Sequence, residues 1–134
     1  MILVLNCGSQ SIKWALYDNG LKRVKDGEKR VSDSKNLKDY KIEIRKVGHR
    51  VVHGGDKFRD PLRLNPKNIK ELGKIKLAPL HNPYNLLGIK VSQKELPQAS
   101  QFAVFDTGFY KDLSKVSKIY HLPEKFGFQR FGFN

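Results

Sequence analysis

Small polar residues follow a short apolar run near the start of the chain and could bind phosphate. Residues 6–13 read Asn-Cys-Gly-Ser-Gln-Ser-Ile-Lys and come directly after the apolar residues 2–5. Backbone N–H groups, hydroxyls and an amine are the donors that a phosphate group needs. The segment lacks the spacing of a Walker A loop and no helical pattern follows it. A plain hairpin turn therefore explains it equally well.

A basic cluster precedes a pair of glycines at residues 54–55. Arg50 lies within it, and a guanidinium binds carboxylate or phosphate through two parallel hydrogen bonds. His49 and His53 are four residues apart, which is too far on a strand for a pair of metal ligands, and no third ligand is evident. We therefore expect an anion site here and no metal site.

Two further residues stand where chemistry is often found. His81 directly precedes Asn82-Pro83, a pattern that predicts a helix cap and a first-turn proline, so His81 either takes part in a site or only packs there. Asp106 directly follows an apolar run, where an acid either caps a turn or binds a cation and orients a nucleophile. Cys7 is better explained as a small filler than as a nucleophile.

Alternating and continuous apolar runs predict the elements that position these residues. The predicted strands are Ile2–Leu5, Ile12–Asp18, Leu21–Val31, Val47–Val52 and Phe102–Phe105, and the predicted helices are Lys67–Lys74 and Pro83–Glu95. Residues 40–44 fit a helix end or a strand, and a polar loop is predicted around Pro61. The order indicates an α/β fold with a mixed sheet and flanking helices. Its strand ends, at residues 6–11, 53–55 and 106–108, are the places to look for chemistry.

Composition limits the classes of protein. The chain has 134 residues, enough for one domain with its own core, and its single cysteine excludes a disulfide framework. No apolar run approaches the ~20 residues of a membrane span, and the start lacks a signal-peptide pattern, so we expect a cytoplasmic protein. The net charge of +13 suits phosphates and other small anions, or a nucleic acid. The lysines form no block and the aromatics are not interleaved with arginines, which favours small anions.

Six motifs along the chain can be compared with known families: residues 6–13 (NCGSQSIK), 47–55 (VGHRVVHGG), 77–89 (LAPLHNPYNLLGI), 103–109 (AVFDTGF), 122–123 (LP) and 130–133 (RFGF). Taken together and in this order, they resemble the N-terminal domain of acetate kinase. The resemblance covers nearly the whole chain. Propionate kinases share the motifs, whereas butyrate kinases usually differ in the first turn and in the histidine-arginine segment.

The resemblance implies an RNase H-like, actin-like half of the sugar kinase, Hsp70 and actin superfamily fold. It also implies a reaction, the reversible transfer of a phosphoryl group from ATP to acetate to give acetyl phosphate, with Mg²⁺ or Mn²⁺. The family forms homodimers. The implied site residues are Asp106, Arg50 and His81 for catalysis; Arg50, Val52, Leu80 and Phe133 for the substrate; Ser9, Ser11 and Lys13 for the phosphates; and Asn6 for the metal. We expect Asn6, Arg50, His81 and Asp106 to converge on one concave face.

Departures from the family pattern shape what we expect of this chain. The family continues with a histidine after the Gly-Phe pair and then with a second domain that binds ATP, whereas here Phe133 is followed by Asn134. Gly108 and Tyr110 replace the usual alanine and histidine, and the segment before Val47 is shorter. We therefore expect residues 1–134 to form a single N-terminal domain, without the nucleotide-binding domain and inactive alone. A non-catalytic carboxylate- or phosphate-binding remnant and a basic nucleic-acid-binding domain are the alternatives.

Overall fold

Most of the strands come before the helices along the chain, and one further strand follows the two longer helices. The computed structural model describes residues 1–30 and 43–132. Its strands are β1 (Ile2–Cys7), β2 (Ser11–Tyr17), β3 (Arg23–Arg30), β4 (Lys46–Val51), β5 (Leu62–Arg63) and β6 (Ser100–Phe105), and its helices are α1 (Pro66–Leu72), α2 (Asn82–Glu95) and α3 (Lys115–Lys118). Short 3₁₀ turns occupy Asp106–Tyr110 and Glu124–Phe126.

One six-stranded sheet, in the order β3-β2-β1-β4-β6-β5, organises these elements. The first three strands form an antiparallel meander, and β1, β4 and β6 are parallel neighbours. The prediction of a mixed sheet that contains both Ile2–Leu5 and Phe102–Phe105 is therefore confirmed. The predicted end of the third strand at Val31, like residues 40–42, lies outside the described residues.

The β2–β3 turn begins the third strand later than predicted. The Asp18 carboxylate accepts a hydrogen bond from the Lys22 backbone N–H (2.9 Å), and Leu21 has a φ of 63°. A positive φ is incompatible with a strand conformation. Leu21 therefore belongs to the turn, and β3 starts at Arg23.

The segment around Pro61 contains a short strand that the sequence analysis assigned to a loop. Leu62 and Arg63 pair with Ala103 and Phe102 of β6. A two-residue strand is too short to show an alternating pattern, and its proline neighbour points to a loop. The strand closes one edge of the sheet.

The two longer helices begin at asparagine-proline pairs, but in different ways. The Asn65 side chain caps α1, because it accepts a hydrogen bond from the Asn68 backbone N–H (2.9 Å) while the Asn68 side chain accepts one from Asn65 N–H (2.8 Å). The prediction that Asn82 caps α2 is wrong. His81 is the N-cap residue, without a side-chain cap bond, and Asn82 is the first helical residue with its side chain buried.

Buried side chains form two apolar clusters on the face of the sheet that α1 and α2 cover. The first includes Leu3, Leu16 and Val47, and the second includes Val51, Ile89 and Phe105. A single core was expected. The alternation of β4 instead places buried His49 between Val47 and Val51, where its Nε2 lies 2.7 Å from Gln101 Oε1. A hydrogen-bonded polar layer, completed by Ser92, thus separates the two clusters.

Candidate active site

Three of the residues predicted from the sequence meet at the carboxyl ends of the parallel strands. Arg50 Nη2 donates to Asp106 Oδ2 (2.6 Å), and Arg50 Nε lies 3.0 Å from Oδ1 and 3.1 Å from Oδ2. Arg50 Nη1 donates to Asn6 Oδ1 (3.2 Å). The convergence of Asn6, Arg50 and Asp106 is therefore observed.

Strand register brings these three residues together. Leu5 of β1 pairs with His49 of β4, and Arg50 pairs with Val104 of β6. Because side chains alternate along a strand, Asn6 and Arg50 both lie on the face opposite the buried Leu5 and His49. Asp106 follows the last residue of β6 directly and begins the 3₁₀ turn. The parallel orientation puts all three at one edge of the sheet.

Asp106 holds the guanidinium of Arg50 by one side only. Its oxygens accept from Nε and Nη2, whereas a guanidinium has two further N–H groups on its outer edge beyond the one that Asn6 uses. The hydrogen bond to Asp106 raises the pKa of Arg50 further, so the side chain stays charged. Arg50 is half-exposed and can therefore offer its outer edge to a ligand anion.

Two buried asparagines of α2 fix the strand ends, and sequence reasoning missed both. Asn82 Oδ1 accepts from His53 N–H (3.1 Å), and its Nδ2 donates to the His53 carbonyl (2.8 Å). Asn85 Oδ1 accepts from Val52 N–H (3.0 Å), and its Nδ2 donates to the Cys7 carbonyl (2.7 Å). They satisfy backbone groups just beyond β4 and at the end of β1. Two asparagines three residues apart on one helix face were the available signal.

Tight backbone approaches hold the loops after β4 and β6 against each other. The Thr107 hydroxyl, buried, accepts from the Gly54 N–H (3.2 Å). A Cβ on Gly54 would lie 1.8 Å from the Phe58 carbonyl oxygen, and one on Gly108 would lie 2.2 Å from the Arg59 carbonyl oxygen. These loops therefore need glycine at both positions.

The residues predicted to bind phosphate contact an acid on the neighbouring strand. Ser11 Oγ donates to Glu28 Oε1 (2.6 Å), and Lys13 Nζ lies 3.9 Å from the same oxygen. Lys13 pairs with Asn6 in the β1–β2 register, so both lie on the same face of the sheet. Ser9 is exposed in the turn between the strands. The Ser11 hydroxyl and the Lys13 amine thus lie beside Asn6 and both contact the Glu28 carboxylate.

The other predicted residues lie outside this hydrogen-bonded cluster. His81 is exposed at the start of α2, and Leu80 next to it is 75% exposed. Val52 is half-buried, with its N–H held by Asn85. Phe133 lies outside the described residues.

Cys7, His49 and His53 are buried, and burial shifts the pKa of each side chain towards its neutral form. Burial raises the pKa of the Cys7 thiol to about 11, which fits the interpretation of Cys7 as a filler. Burial lowers the pKa of both His49 and His53. In residues 1–30 and 43–132, no group of three or more His, Cys, Asp or Glu side chains could hold a metal ion.

The fold and the site together define a class of protein. A meander followed by parallel strands, with charged side chains at their carboxyl ends, is one half of the actin-like fold of the sugar kinase, Hsp70 and actin superfamily. The model of the acetokinase family matches residues 29–134, and the chain belongs to that family.

Individual relatives support the assignment over the full chain. An acetate kinase of Desulforamulus reducens is 35% identical over 179 residues, which cover 100% of this chain and 45% of the relative. A propionate kinase of Citrobacter rodentium is 47% identical over 97 residues, 69% of this chain and 24% of the relative. The crystal structure of Porphyromonas gingivalis acetate kinase superposes with a TM-score of 0.86 at 32% identity, covering 98% of this chain and 44% of that one.

The chain spans less than half the length of these relatives. The alignment with the Desulforamulus protein is 179 positions long, whereas this chain has 134 residues. The Desulforamulus protein therefore has residues within the aligned region that this chain lacks. Among the described residues, no helix has the length and apolar character needed to cross a membrane.

Proposed function

We propose that this chain supplies the carboxylate- and phosphoryl-binding half of an acetate kinase. The reaction is ATP plus acetate giving ADP and acetyl phosphate, and its reverse. The arrangement of Arg50 carries the proposal, because its guanidinium is fixed by Asp106 and Asn6 while its outer edge faces solvent. Phosphoryl transfer depends on positioning and charge neutralisation more than on covalent chemistry, and a fixed guanidinium provides both.

Asp106 and Asn6 act first through Arg50. An arginine side chain that is free in solution loses conformational entropy when it binds a ligand. The three hydrogen bonds that Arg50 donates to Asp106 and the one that it donates to Asn6 impose that ordering before the ligand arrives. The outer edge can then bind the acetate carboxylate, or the phosphoryl oxygens, bidentately. Asp106 would also orient the attacking oxygen of acetate.

The remaining predicted residues would complete the site around Arg50. His81 would support the transferring phosphoryl group from the start of α2. Ser9, Ser11 and Lys13 would bind phosphate oxygens from the β1–β2 turn, which requires an anion to displace Glu28 from Ser11 and Lys13. Val52, Leu80 and Phe133 would form the small apolar pocket for the acetate methyl group.

The oxygen ligands at the strand ends fit a magnesium or manganese ion that is bound mainly by phosphates. Mg²⁺ in phosphoryl-transfer sites typically has one or two protein oxygen ligands, with the rest from substrate phosphates and water. Asn6 Oδ1 and the Asp106 carboxylate are two such oxygens, both within reach of the Arg50 guanidinium. We assign Asn6 as the metal-side ligand. The ion would neutralise negative charge on the phosphates of ATP.

The nucleotide half of the site belongs to a second domain, in the same protein or in a separate chain. The loss of one donor aimed at a transferring group lowers the rate by roughly 10²–10³, and several such donors would come from that domain. Residues 1–134 by themselves are therefore expected to bind small anions and to produce no measurable acetyl phosphate.

A binding titration tests the proposal directly. We would follow backbone and Arg Nε resonances by NMR while adding acetate, and then acetyl phosphate, to the 134-residue chain. Saturable shifts at Asn6, Arg50 and Asp106 are expected. Arg50→Gln should abolish these shifts. The matched control is Arg23→Gln, which replaces an exposed arginine that pairs with Asp26 on β3 and should leave the shifts unchanged. Equal binding by the Arg50 and Arg23 variants would contradict the proposal.

Turnover separates the kinase from a non-catalytic remnant. The chain would be mixed with the part of Porphyromonas gingivalis acetate kinase outside the aligned 44%, produced as a separate polypeptide. Acetyl phosphate formation from ATP, acetate and Mg²⁺ would then be measured as the hydroxamate. Restored turnover that depends on Arg50 supports the kinase. Anion binding without turnover in any such mixture favours the remnant.

Propionate is the second candidate substrate, because a propionate kinase matches at 47% identity over 97 residues. The two acids differ by one methylene, which a hydrophobic pocket discriminates by only about 1–3 kcal/mol. The preference is measured as the ratio of kcat/KM for acetate and propionate in the reconstituted mixture. A Val52→Ala variant, which enlarges the proposed pocket, should shift that ratio towards propionate.

A further inference from the structure

A pocket of about 370 Å³ lies where the carboxyl end of α2 meets the amino end of β6. Arg63 of β5, Ser100 of β6 and the turn at residues 96–99 line it. Asp106 follows the other end of the same six-residue strand, which is about 20 Å away at the usual rise per residue. The pocket is therefore separate from the candidate active site. Its volume is in the range of roughly 300–1,000 Å³ that is typical of small-molecule sites.

The wall of the pocket that β5 and β6 form is suited to a carboxylate. Arg63 Nη2 donates to the Ser100 hydroxyl (3.2 Å), which leaves the other N–H groups of the exposed guanidinium available to a ligand. Because the Ser100 oxygen accepts that bond, its own O–H can donate to a ligand oxygen. Among the described residues that line the pocket, none is acidic. A guanidinium beside a hydroxyl provides the charge and the donors that a carboxylate needs.

A buried carboxamide adds a further donor to this wall. Gln101 lines the pocket and is only 5% exposed. Its Oε1 accepts from the Ser92 hydroxyl (3.0 Å) and lies 2.7 Å from His49 Nε2. Its Nε2 lies 3.5 Å from the Ala99 carbonyl oxygen, at the long limit for a hydrogen bond. The acceptor of this amide is thus fully used, whereas its N–H groups remain able to donate to a ligand.

The wall that α2 forms is suited to a positively charged group. Carbonyl oxygens at the carboxyl end of a helix carry a partial negative charge, and α2 ends at Glu95 with Leu96 as its C-cap. Gln93 lines the pocket, and in a regular helix its carbonyl would accept from the N–H of residue 97. Residue 97 is a proline, which has no N–H. The Gln93 carbonyl therefore lacks its regular partner within the helix and can accept from an ammonium group.

We propose that this pocket binds a small zwitterion of the α-amino acid class. The carboxylate of the ligand meets Arg63, Ser100 and Gln101, and its ammonium group meets the carbonyl oxygens at the end of α2. The site is independent of the proposed kinase reaction, because none of these residues belongs to the cluster around Arg50. It would give the chain a second ligand, unrelated to acetate or nucleotide.

Ligands with a single charge are poorer occupants of the pocket. A plain anion such as phosphate would bind Arg63 but would also lie against the negative end of the α2 helix dipole. A plain cation would gain from the helix end but would lie close to the guanidinium, and like charges repel. A zwitterion offers each wall the charge that the wall favours.

An NMR titration of the 134-residue chain tests the proposal without acetate or nucleotide. The probes are L-alanine, L-leucine and L-glutamine, which present a small, an apolar and a polar side chain on the same zwitterion. At least one of them should give saturable shifts at the backbone resonances of Leu64, Ser100 and Gln101. The N-acetyl form of that amino acid lacks the ammonium group and its α-amide lacks the carboxylate. Both derivatives should bind at least tenfold more weakly than the parent amino acid.

Two variants locate the binding at this pocket. Arg63→Gln should weaken it at least tenfold, and Ser100→Ala, which removes a hydroxyl without adding bulk, should weaken it at least threefold with an unchanged melting temperature. Arg50→Gln is the matched control and should leave the affinity unchanged. The proposal is overturned if none of the three amino acids gives saturable shifts, if Arg63→Gln and Ser100→Ala bind like the unaltered chain, or if the N-acetyl form binds as tightly as its parent. Absence of acetate-dependent shifts at Asn6 would instead contradict the proposed function alone.

Discussion

The Arg50 guanidinium lies directly against the Asp106 carboxylate, with Nη2 2.6 Å from Oδ2, although 56 residues separate them in the chain. Arg50 is the next-to-last residue of β4, and Asp106 directly follows the adjacent parallel strand β6. The pairing of Val51 with Phe105 brings those strand ends into register. Asp106 thus has two opposing effects on an anion bound by Arg50. Its hydrogen bonds orient the guanidinium, and its negative charge repels the ligand.

Replacing Asp106 by asparagine should separate these effects. Removal of one charge about 5 Å from a bound anion at an exposed site changes the binding energy by about 1 kcal/mol, so phosphate should bind about fivefold more tightly to Asp106→Asn. Turnover in the reconstituted mixture should instead fall by roughly 10²–10³-fold.

Phosphate titrations of Asp106→Asn with EDTA present exclude metal effects. Asp26→Asn, which removes an exposed partner of Arg23, is the control. Weaker phosphate binding by Asp106→Asn would show that orientation dominates.

Asn85 should be among the residues most important for stability. Asn85→Ala removes the partners of Val52 N–H and the Cys7 carbonyl, and an unsatisfied buried polar group costs about 1–3 kcal/mol. We expect the free energy of unfolding in urea to fall by about 2–4 kcal/mol. Asn85→Asp keeps the acceptor for Val52 N–H but sets a buried carboxylate oxygen against the Cys7 carbonyl, so it should destabilise the chain at least as much as Asn85→Ala. Lys90→Ala, at an exposed position of the same helix, should change the free energy of unfolding by less than about 0.5 kcal/mol. Equal losses for Asn85→Ala and Lys90→Ala would show that Asn85 has no clamping role.

The sequence predicts the sheet and part of the site because both depend on local patterns. Alternating and continuous apolar runs identify β1, β2, β4 and β6 to within two residues of their ends. Polar and basic residues near the ends of these runs point to Asn6, Arg50 and Asp106. β5 escapes prediction because two residues contain no period. The capping role assigned to Asn82 was wrong because a local pattern cannot show that a tertiary partner, the His53 backbone, competes for the side chain. The bond between Ser11 and Glu28 depends on the register of β2 and β3 and has no signature in the sequence.

Gly88 should resist a substitution that normally stabilises helices. Glycine to alanine in a helix interior gains about 1 kcal/mol, but a Cβ at position 88 would lie 2.3 Å from Cys7 Sγ and 2.9 Å from Cys7 Cβ. The side chain of Cys7 is buried under α2, so either the helix or β1 must shift. We expect Gly88→Ala to lower the melting temperature of the chain. The double variant with Cys7→Ala should recover part of the loss, and an increase for Gly88→Ala alone would show that α2 is less closely packed on β1.

The free energy of unfolding should decrease as the pH falls below 6.5, the ordinary pKa of histidine, and His49 should account for much of the change. Burial lowers the pKa of His49, and the hydrogen bond to Gln101 only partly offsets this effect. Below pH 6.5 the unfolded chain therefore binds a proton that the folded chain does not, so the free energy of unfolding rises with pH in this range and levels off above it. The slope for one such group approaches 1.4 kcal/mol per pH unit. His53, whose pKa is also lowered by burial, adds to this slope.

Urea denaturation between pH 5 and pH 7.5 measures the slope of the free energy of unfolding against pH. His49→Gln, which keeps a donor for Gln101, should reduce that slope. An unchanged slope in His49→Gln would assign the pH dependence to His53 or to the carboxylates instead.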